Sequence, residues 1–421
     1  MERTQTTLDG CRREVRITLS DSDLRPHFDK AYTAAQANIE IKGFRKGKVP
    51  LAIVKQQFGR SIENEALDDI ADAEFRSFVA EEKANVVGQP SLTDVQKDQG
   101  SVAFTIQYEI LPEFELGQYR ELVVNRPVRT VTESDVDNEI SRITLRAATF
   151  EPADEIIDNM FVATISLNEL DSESSMPILG KEAKEARVFL DDDQVDMHLR
   201  NSLMHQHVGD TFNYVAETQD ENAIPPQYRV QVTDIQQVVP APFTNEFVEQ
   251  ITDGKFTTSE DLRADIEHQL KHYYEDAARE SVENQLIEQL VQGHSFDVPE
   301  SVIHAVIHQL ADEFKERNKN VPDIEKMTAH DLEPQLRPSA ERIARWELIR
   351  DRIARAEELE VMDEDIARAA VKYGVSEDQL RLIMRQNRSL QDQILAEKTV
   401  RTLVDYAIVN DVTVDSEESV L

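Results

Sequence analysis

From residue 243 to about residue 410 the apolar residues recur at helical spacing almost without interruption. The chain has only 12 glycines and 15 prolines among its 421 residues, so few positions interrupt these helices. The amphipathic runs cover Ser259 to Gln292, Pro299 to Asn318, Pro338 to Glu360, 363–373, 376–386 and 389–409. We therefore predict a mostly α-helical domain over residues 241–421.

The residues before the linker Pro240-Ala241-Pro242 follow a different pattern. Residues 12–19 alternate charged and apolar side chains, which is the period of a half-buried strand. Helical patterns cover residues 20–39 and 51–83, and a second strand is predicted at 102–108. These patterns predict an α+β head over residues 1–112.

Two further segments connect the head to the helical domain. Residues 113–150 are predicted to be a strand followed by a helix, which opens with the capping box Thr132-Glu133-Ser134-Asp135. Residues 151–240 hold short strand-like runs at 161–167, 186–190, 211–215 and 228–235. The fold class that follows is α+β, multidomain and elongated, with domains at 1–112, 113–150, 151–240 and 241–421.

The charge of the chain limits its partners. Lys and Arg number 46 against 82 Asp and Glu, which gives a net charge of -36. A surface of this sign repels phosphate backbones, so the molecule as a whole does not bind nucleic acid. Cys11 is the only cysteine, which excludes an intrachain disulfide. Residues 1–5 lack the apolar segment of a signal peptide, and no apolar run approaches membrane-spanning length. We expect a cytoplasmic protein that does not bind membranes.

One short region has the opposite charge. Between Glu40 and Arg60 the chain carries six cations and one acid, a local charge of +5. Within it Phe44 stands beside two cations in a glycine-bounded segment, Gly43-Phe44-Arg45-Lys46-Gly47-Lys48-Val49-Pro50. An exposed aromatic ring next to cations suits contact with a partner that offers both an apolar crevice and negative charge. The alternative is a solvated turn in which Phe44 folds back into the core.

These eight residues resemble the ribosome-docking signature of the bacterial trigger factor family. The resemblance extends over the whole chain, because three other segments are similar to family counterparts. They are the strand at 12–19, the segment at 108–116 and Phe296-Asp297-Val298-Pro299.

The resemblance implies an ATP-independent chaperone that docks at the ribosomal tunnel exit and holds nascent or unfolded polypeptides. The head would contact the ribosome, both protein and rRNA, through the basic loop residues Gly43, Phe44, Arg45, Lys46 and Gly47. Residues 151–240 would form an FKBP-type peptidyl-prolyl isomerase domain, and 241–421 the body that binds clients. A homodimer of the free protein is also implied.

The middle domain departs from the family pattern. The strand at 163–167 lacks the expected Asp-Phe pair, and residues 195–199 lack the expected Ile-Pro-Gly-aromatic run. Catalysis needs a dry aromatic pocket, because the barrier to rotation about a peptide bond is ~18–20 kcal/mol. We therefore predict weak or no isomerase activity and assign no catalytic residue. The alternatives are an active prolyl isomerase, or a free acidic holdase for basic clients that makes no ribosome contact.

Apolar side chains of the helical domain are candidates for binding clients. Dispersed apolar patches in a hydrophilic frame bind unfolded segments weakly enough to release them. The alternative for each residue is a position in the helix-packing core. The candidates are Val302, Ile303, Val306, Ile307, Leu310, Phe314, Met384 and Ile394.

The sequence predicts no metal and no cofactor. His304 and His308 are four residues apart on a helix, but the glutamate of the metalloprotease motif is absent between them. No glycine-rich phosphate loop occurs, so an ATP-driven mechanism has no support.

Overall fold

The computed structural model describes residues 2–41, 44–45, 47–98, 100–171, 176–178, 180–216, 225–319, 321 and 323–414. The strands are β1 (Glu2–Asp9), β2 (Arg12–Ser20), β3 (Val86–Asp98), β4 (Ser101–Ile110), β5 (Val123–Val128), β6 (Thr149–Pro152), β7 (Phe161–Leu170), β8 (Lys184–Phe189), β9 (Thr211–Val215), β10 (Gln227–Val239) and β11 (Ile408–Thr413). The helices are α1 (Asp21–Asn38), α2 (Leu51–Glu82), α3 (Glu133–Arg146), α4 (Met197–Leu203), α5 (Asn245–Ile251), α6 (Ser259–Gly293), α7 (Glu300–Arg317), α8 (Ala329–Ala356), α9 (Asp363–Tyr373), α10 (Glu377–Gln386) and α11 (Arg388–Tyr406).

The chain is both helical and sheet-forming, as the predicted α+β multidomain class requires. It divides into two compact units, each built from two stretches of sequence. The first unit comprises Met1–Arg126 and Glu280–Val412, and the second comprises Pro127–Arg279 and Thr413–Leu421. Among the helices of the described residues, none is both long and apolar enough to cross a membrane.

The amino-terminal part of the first unit is an antiparallel sheet in the order β1-β2-β4-β3, packed against α1 and α2. The alternation in β2 places Val15, Ile17 and Leu19 in the core. They meet α2 residues such as Ile70 and Phe75. The predicted strand and the two predicted helices of the head are therefore confirmed.

Strand β3 was not predicted, because Gly88 and Pro90 interrupt its pattern. It lies at the edge of the sheet, where the missing N–H of a proline is tolerated, and its pairing with β4 shifts register after Val87. Gly88 has a φ of +68°. A Cβ there would lie 2.5 Å from the Cβ of Ser301 on α7, so any larger residue would collide with that helix.

The helical part of the first unit differs from prediction at two boundaries. Helix α8 begins at Ala329 rather than Pro338, because Thr328 and Asp331 form a capping box and the helix then runs through Pro334 and Pro338. Helix α11 ends at Tyr406, and the chain continues directly into β11, which pairs with β5. Without an intervening turn signal, β11 could not be separated from the helix in the sequence.

The second unit contains a sheet in the order β6-β10-β7-β8, with β9 also paired to β10. Its core includes Ile165, Leu190, Leu203 and Val232. Helix α3 opens with the predicted capping box and packs with α5 and the beginning of α6 in a separate apolar cluster. The strands predicted in this region are all present, and β6 is additional.

A single carboxylate joins the ends of three segments in the first unit. Glu357 follows α8, and its two oxygens accept hydrogen bonds from Arg120 at 2.6 and 2.7 Å. Its Oε1 also accepts from the Tyr119 hydroxyl at 2.6 Å, and its Oε2 from the Tyr406 hydroxyl at 2.9 Å. Chiefly because of the Arg120 and Tyr119 hydrogen bonds, the pKa of Glu357 falls to about 2.

We expect the free energy of unfolding of the Glu357→Gln variant to be about 2 kcal/mol lower than that of the wild type, because the variant loses charge-assisted hydrogen bonds. Trp346 is the only tryptophan and lies in the core of the same unit, so its fluorescence in urea reports this unfolding. The folded pKa of Glu357 lies below its ordinary value of 4.5, so the stabilisation is present above pH 4.5 and is lost as the pH falls towards 2.

The matched control is Glu358→Gln, which neutralises the neighbouring exposed acid. It is expected to change the unfolding free energy by less than about 0.5 kcal/mol. The role of Glu357 would be refuted if both variants behaved alike, or if the loss in Glu357→Gln were the same at pH 7 and pH 3.

Candidate functional site

The basic loop between α1 and α2 is held by backbone hydrogen bonds on both sides of its central residues. The Phe44 N–H donates to the Ile41 carbonyl at 3.0 Å, and the Lys48 N–H donates to the Arg45 carbonyl at 2.9 Å. Gly47 has a φ of +75°, a conformation that glycine adopts without strain. The loop backbone thus has its own local order.

Buried contacts fix the end of this loop to the helices. Val49 is fully buried against Tyr32, Val54 and Ile62. The Gln36 side-chain amide donates to the Val49 carbonyl at 2.6 Å. Val49 therefore anchors the end of the loop in the core, so the loop residues before it can remain exposed.

The central residues of the loop lie at the surface. The Phe44 side chain is 42% exposed, and Arg45 and Lys48 are also exposed. The alternative in which Phe44 folds into the core is therefore not the observed arrangement. Of the predicted docking residues, Gly43 and Lys46 lie outside the described residues.

One cation of the basic region belongs to the base of the loop. The Lys55 ammonium lies 2.9 Å from Asp29 Oδ1 and 4.6 Å from the centroid of the Tyr32 ring. Its charge is compensated within the head. The local charge of +5 in the sequence therefore overstates what this region presents to a partner.

The structure shows that four of the eight client-binding candidates are buried and four are half-buried. Ile303, Val306 and Ile307 are buried between α7 and α8, and Ile394 is buried among α9, α10 and α11. Their helical spacing reflects packing between helices, which is the alternative that the sequence left open. The half-buried candidates are Val302, Leu310, Phe314 and Met384.

Val302, one of these candidates, lines a cleft of about 940 Å³ in the first unit. Five acids and two arginines line it, together with small and apolar side chains from α8 and α11. The lining residues are Val302, Glu347, Leu348, Arg350, Asp351, Ala354, Arg355, Glu358, Leu359, Glu360, Asp392, Leu395, Ala396 and Thr399. Burial raises the pKa of Glu347 above its ordinary value.

The sequence did not predict most of this cleft. Its α8 residues lie between the apolar residues that form the helix-packing core, so they do not stand out in the helical pattern. Leu348 precedes the fully buried Ile349, and only the packing shows that the two face different surroundings. The sequence signal at this point is the pair Glu347-Leu348, in which an acidic and an apolar residue of the cleft are adjacent. Other exposed apolar side chains lie on α9 and α10, among them Val371 at 84% and Leu382 at 57% exposure.

The segments expected to form the isomerase pocket have other roles in the second unit. Ala163 and Ile165 of β7 are fully buried in the sheet core. Asp196 caps α4 by accepting from the His198 N–H at 2.6 Å, and it also accepts from the Tyr214 hydroxyl at 2.5 Å. A hydrogen-bonded carboxylate and an exposed Met197 thus occupy the stretch where the family pattern has apolar and aromatic residues.

In the described part of the chain, no group of three or more His, Cys, Asp or Glu side chains is placed to hold a metal ion. His304 lies 3.9 Å from both Glu300 and Glu333, which are ion-pair distances rather than metal geometry.

The comparisons with known proteins agree on one family. The model described as bacterial trigger factor protein matches residues 1–143, and the model of the trigger factor C-terminus matches residues 258–405. A trigger factor of Salinibacter ruber is 28% identical over 93% of this chain and 90% of its own length. One of Chlorobaculum parvum is 27% identical over 90% and 88%, respectively.

Among solved structures, a trigger factor chaperone chain aligns with 96% of this chain and 98% of its own, at 17% identity and a TM-score of 0.49. The assignment rests on the two family models, which together match well over half of the sequence, and on the full-length relatives. The chain therefore belongs to the bacterial trigger factor family, whose members are ribosome-associated chaperones of protein folding.

Proposed function

We propose that this protein docks at the ribosomal tunnel exit through the loop around Phe44 and Arg45 and holds emerging chains without using ATP. The observation that supports this most directly is an exposed Phe44 beside an exposed Arg45, in a loop fixed by the buried Val49. An exposed aromatic ring in an ordered loop gains free energy only when a partner covers it.

The proposed roles follow the predicted domains. Residues 1–112 form the ribosome-binding head, 113–150 the linker, 151–240 the isomerase-like domain and 241–421 the client-binding body. The protein acts in the cytoplasm on nascent and unfolded polypeptides, and it forms a homodimer when free. Sedimentation velocity of the free protein distinguishes that dimer from a monomer.

At the ribosome, Phe44 enters an apolar crevice while neighbouring cations meet acidic side chains or rRNA phosphate. A charged guanidinium forms hydrogen bonds with carboxylate or phosphate that are about twice as strong as neutral ones. Because the chain as a whole carries -36, these cations also counteract the repulsion between the protein and RNA at short range.

The test is co-sedimentation with ribosomes of the organism that encodes the protein. The wild type is expected to pellet with ribosomes, and the variant Phe44→Ala/Arg45→Ala/Lys46→Ala is expected to remain in the supernatant, with at least about tenfold weaker binding. Loss of a central aromatic and Arg contact typically costs about 2 kcal/mol or more in an interface.

The control is Phe150→Ala/Arg187→Ala in the second unit, where an exposed Phe150 has the Arg187 guanidinium 4.6 Å from its ring centroid. This variant is expected to pellet like the wild type. If neither the wild type nor the control pellets, the alternative of a free acidic holdase without ribosome contact becomes the better account.

We also propose that the 940 Å³ cleft between α7, α8 and α11 receives client segments that carry apolar and basic side chains. Its acids outnumber its arginines by five to two, and Leu348 and Leu395 supply apolar surface between them. Weak, dispersed contacts of this kind permit both capture and release. This gives the holdase alternative a defined surface within the same molecule.

Replacing Asp351 and Asp392 by Lys reverses the sign of the net charge of the residues that line the cleft. We expect the variant to protect an unfolded basic protein from aggregation about tenfold less well, since each exposed charge contact contributes up to ~1 kcal/mol. The control Asp68→Lys/Asp69→Lys changes the charge of the chain equally, on the exposed side of α2. Equal losses in both variants would mean that total charge, and not the cleft, binds the client.

We further propose that residues 151–240 retain the isomerase fold with little or no activity. The support is the Asp196 carboxylate, which caps α4, and the fully buried Ala163 and Ile165, all of which lie where pocket residues are expected. In a refolding reaction limited by proline isomerisation, the full chain is expected to accelerate the slow phase by less than about twofold. Strong acceleration that a competitive FKBP ligand abolishes would contradict this and favour the active-isomerase alternative.

A further inference from the structure

Two histidines one helical turn apart on α6 face each other across a short distance. His268 and His272 are both exposed, and their Nε2 atoms lie 3.2 Å apart. The rings meet edge to face, with centroids 4.4 Å apart at 77°. Residues four positions apart project from the same side of a helix, so the backbone holds the pair together.

The spacing of the two nitrogens fits a shared metal ion. Transition cations bind imidazole nitrogen at about 2.0–2.1 Å. Two such bonds to atoms 3.2 Å apart enclose an angle of about 100° at the metal, between the square-planar and tetrahedral values. Without a metal, the same distance suits a hydrogen bond between two neutral rings, in which one Nε2–H donates to the other Nε2.

A carboxylate lies behind one of the two rings. Glu275 Oε2 lies 3.7 Å from the other ring nitrogen of His272, Nδ1. At this distance the two groups form no hydrogen bond, but the carboxylate lies on the side of the ring where a metal-bound histidine usually has its second contact.

We propose that His268 and His272 form a bidentate site for a divalent transition cation of the nickel, copper and zinc class, with water in the remaining positions. Imidazole is a preferred ligand of these ions, and the strongly acidic chain raises the local concentration of cations. The site has two protein ligands.

The other close histidines of the second unit differ in arrangement. His205 Nδ1 faces Glu155 at 3.4 Å, and His207 Nδ1 faces Asp210 at 3.5 Å. The other ring nitrogen of His207, Nε2, lies 3.9 Å from Glu155 as well, so the two histidines share that carboxylate and their ring nitrogens face carboxylates instead of each other. They therefore provide an internal comparison for the test.

The test is a calorimetric titration of the untagged full chain with NiCl2 at pH 7.5 in a non-coordinating buffer. The wild type is expected to bind one Ni²⁺ per chain, and His268→Ala and His272→Ala each to weaken that binding about tenfold or more, since a single imidazole loses the chelate advantage. The control His330→Ala removes an exposed histidine that has no second histidine one helical turn away, and this variant is expected to bind like the wild type. Unchanged affinity in the His268 and His272 variants would overturn the proposal.

A second readout does not depend on the variants. Sub-stoichiometric Ni²⁺ is paramagnetic in octahedral sites and broadens the ring resonances of the histidines that it contacts. The signals of His268 and His272 are expected to broaden first and together. If His205 and His207 broaden first, or if all histidines broaden in parallel, the cation binds elsewhere and the assignment is wrong.

Discussion

The carboxylate of Glu357 is the constraint on which the first unit depends. It binds Tyr119, which lies 238 positions away in the chain, and Tyr406, which lies 49 positions away. Arg120 lies over the Tyr406 ring at 4.5 Å while it holds both carboxylate oxygens. The segment that leaves the head, the end of α8 and the end of α11 are thereby fixed at one point. Pairing of β5 with β11 then closes the unit beside it.

A second set of contacts joins the same two stretches of chain. The rings of Phe114 and Phe296 stack with centroids 4.1 Å apart. His294 accepts from the Gly117 N–H at 2.8 Å through Nε2, and its Nδ1 lies 2.7 Å from the Leu290 carbonyl. These partners are satisfied together only when the ring is neutral and carries its proton on Nδ1. Both aromatic residues belong to segments in which the sequence already resembles the trigger factor family.

The sequence predicted those parts of the fold whose signals are local. The alternation of β2, the capping box of α3 and the period of α6 each depend on neighbouring residues, and each was found. Strand β1 was missed because it lies at the edge of the sheet with mostly polar, exposed side chains, so it has no apolar alternation. The start of α8 was missed because a capping box outweighs the two prolines that follow it.

The same difference between local signals and tertiary packing separates the candidate sites. The basic loop around Phe44 could be identified from the sequence because glycines, cations and an aromatic residue are contiguous there. The 940 Å³ cleft could not be identified in this way, because Val302, Glu347 and Asp392 come from three helices and only packing brings them together. For Ile303 and Ile307, helical periodicity shows that a side chain faces one side of a helix, but not whether another helix covers that side.

Charge and apolar contact must act together if this chain is to bind the ribosome specifically. At physiological ionic strength electrostatic fields decay over about 8 Å, so the loop cations act on a surface they nearly touch while the distant acids are screened. Cations alone would give weak, nonselective attraction to any RNA, which a net charge of -36 opposes. Phe44 adds free energy only where a crevice accepts its ring. Specificity then arises because only a site that offers both negative charge and an apolar crevice overcomes the repulsion by the rest of the molecule.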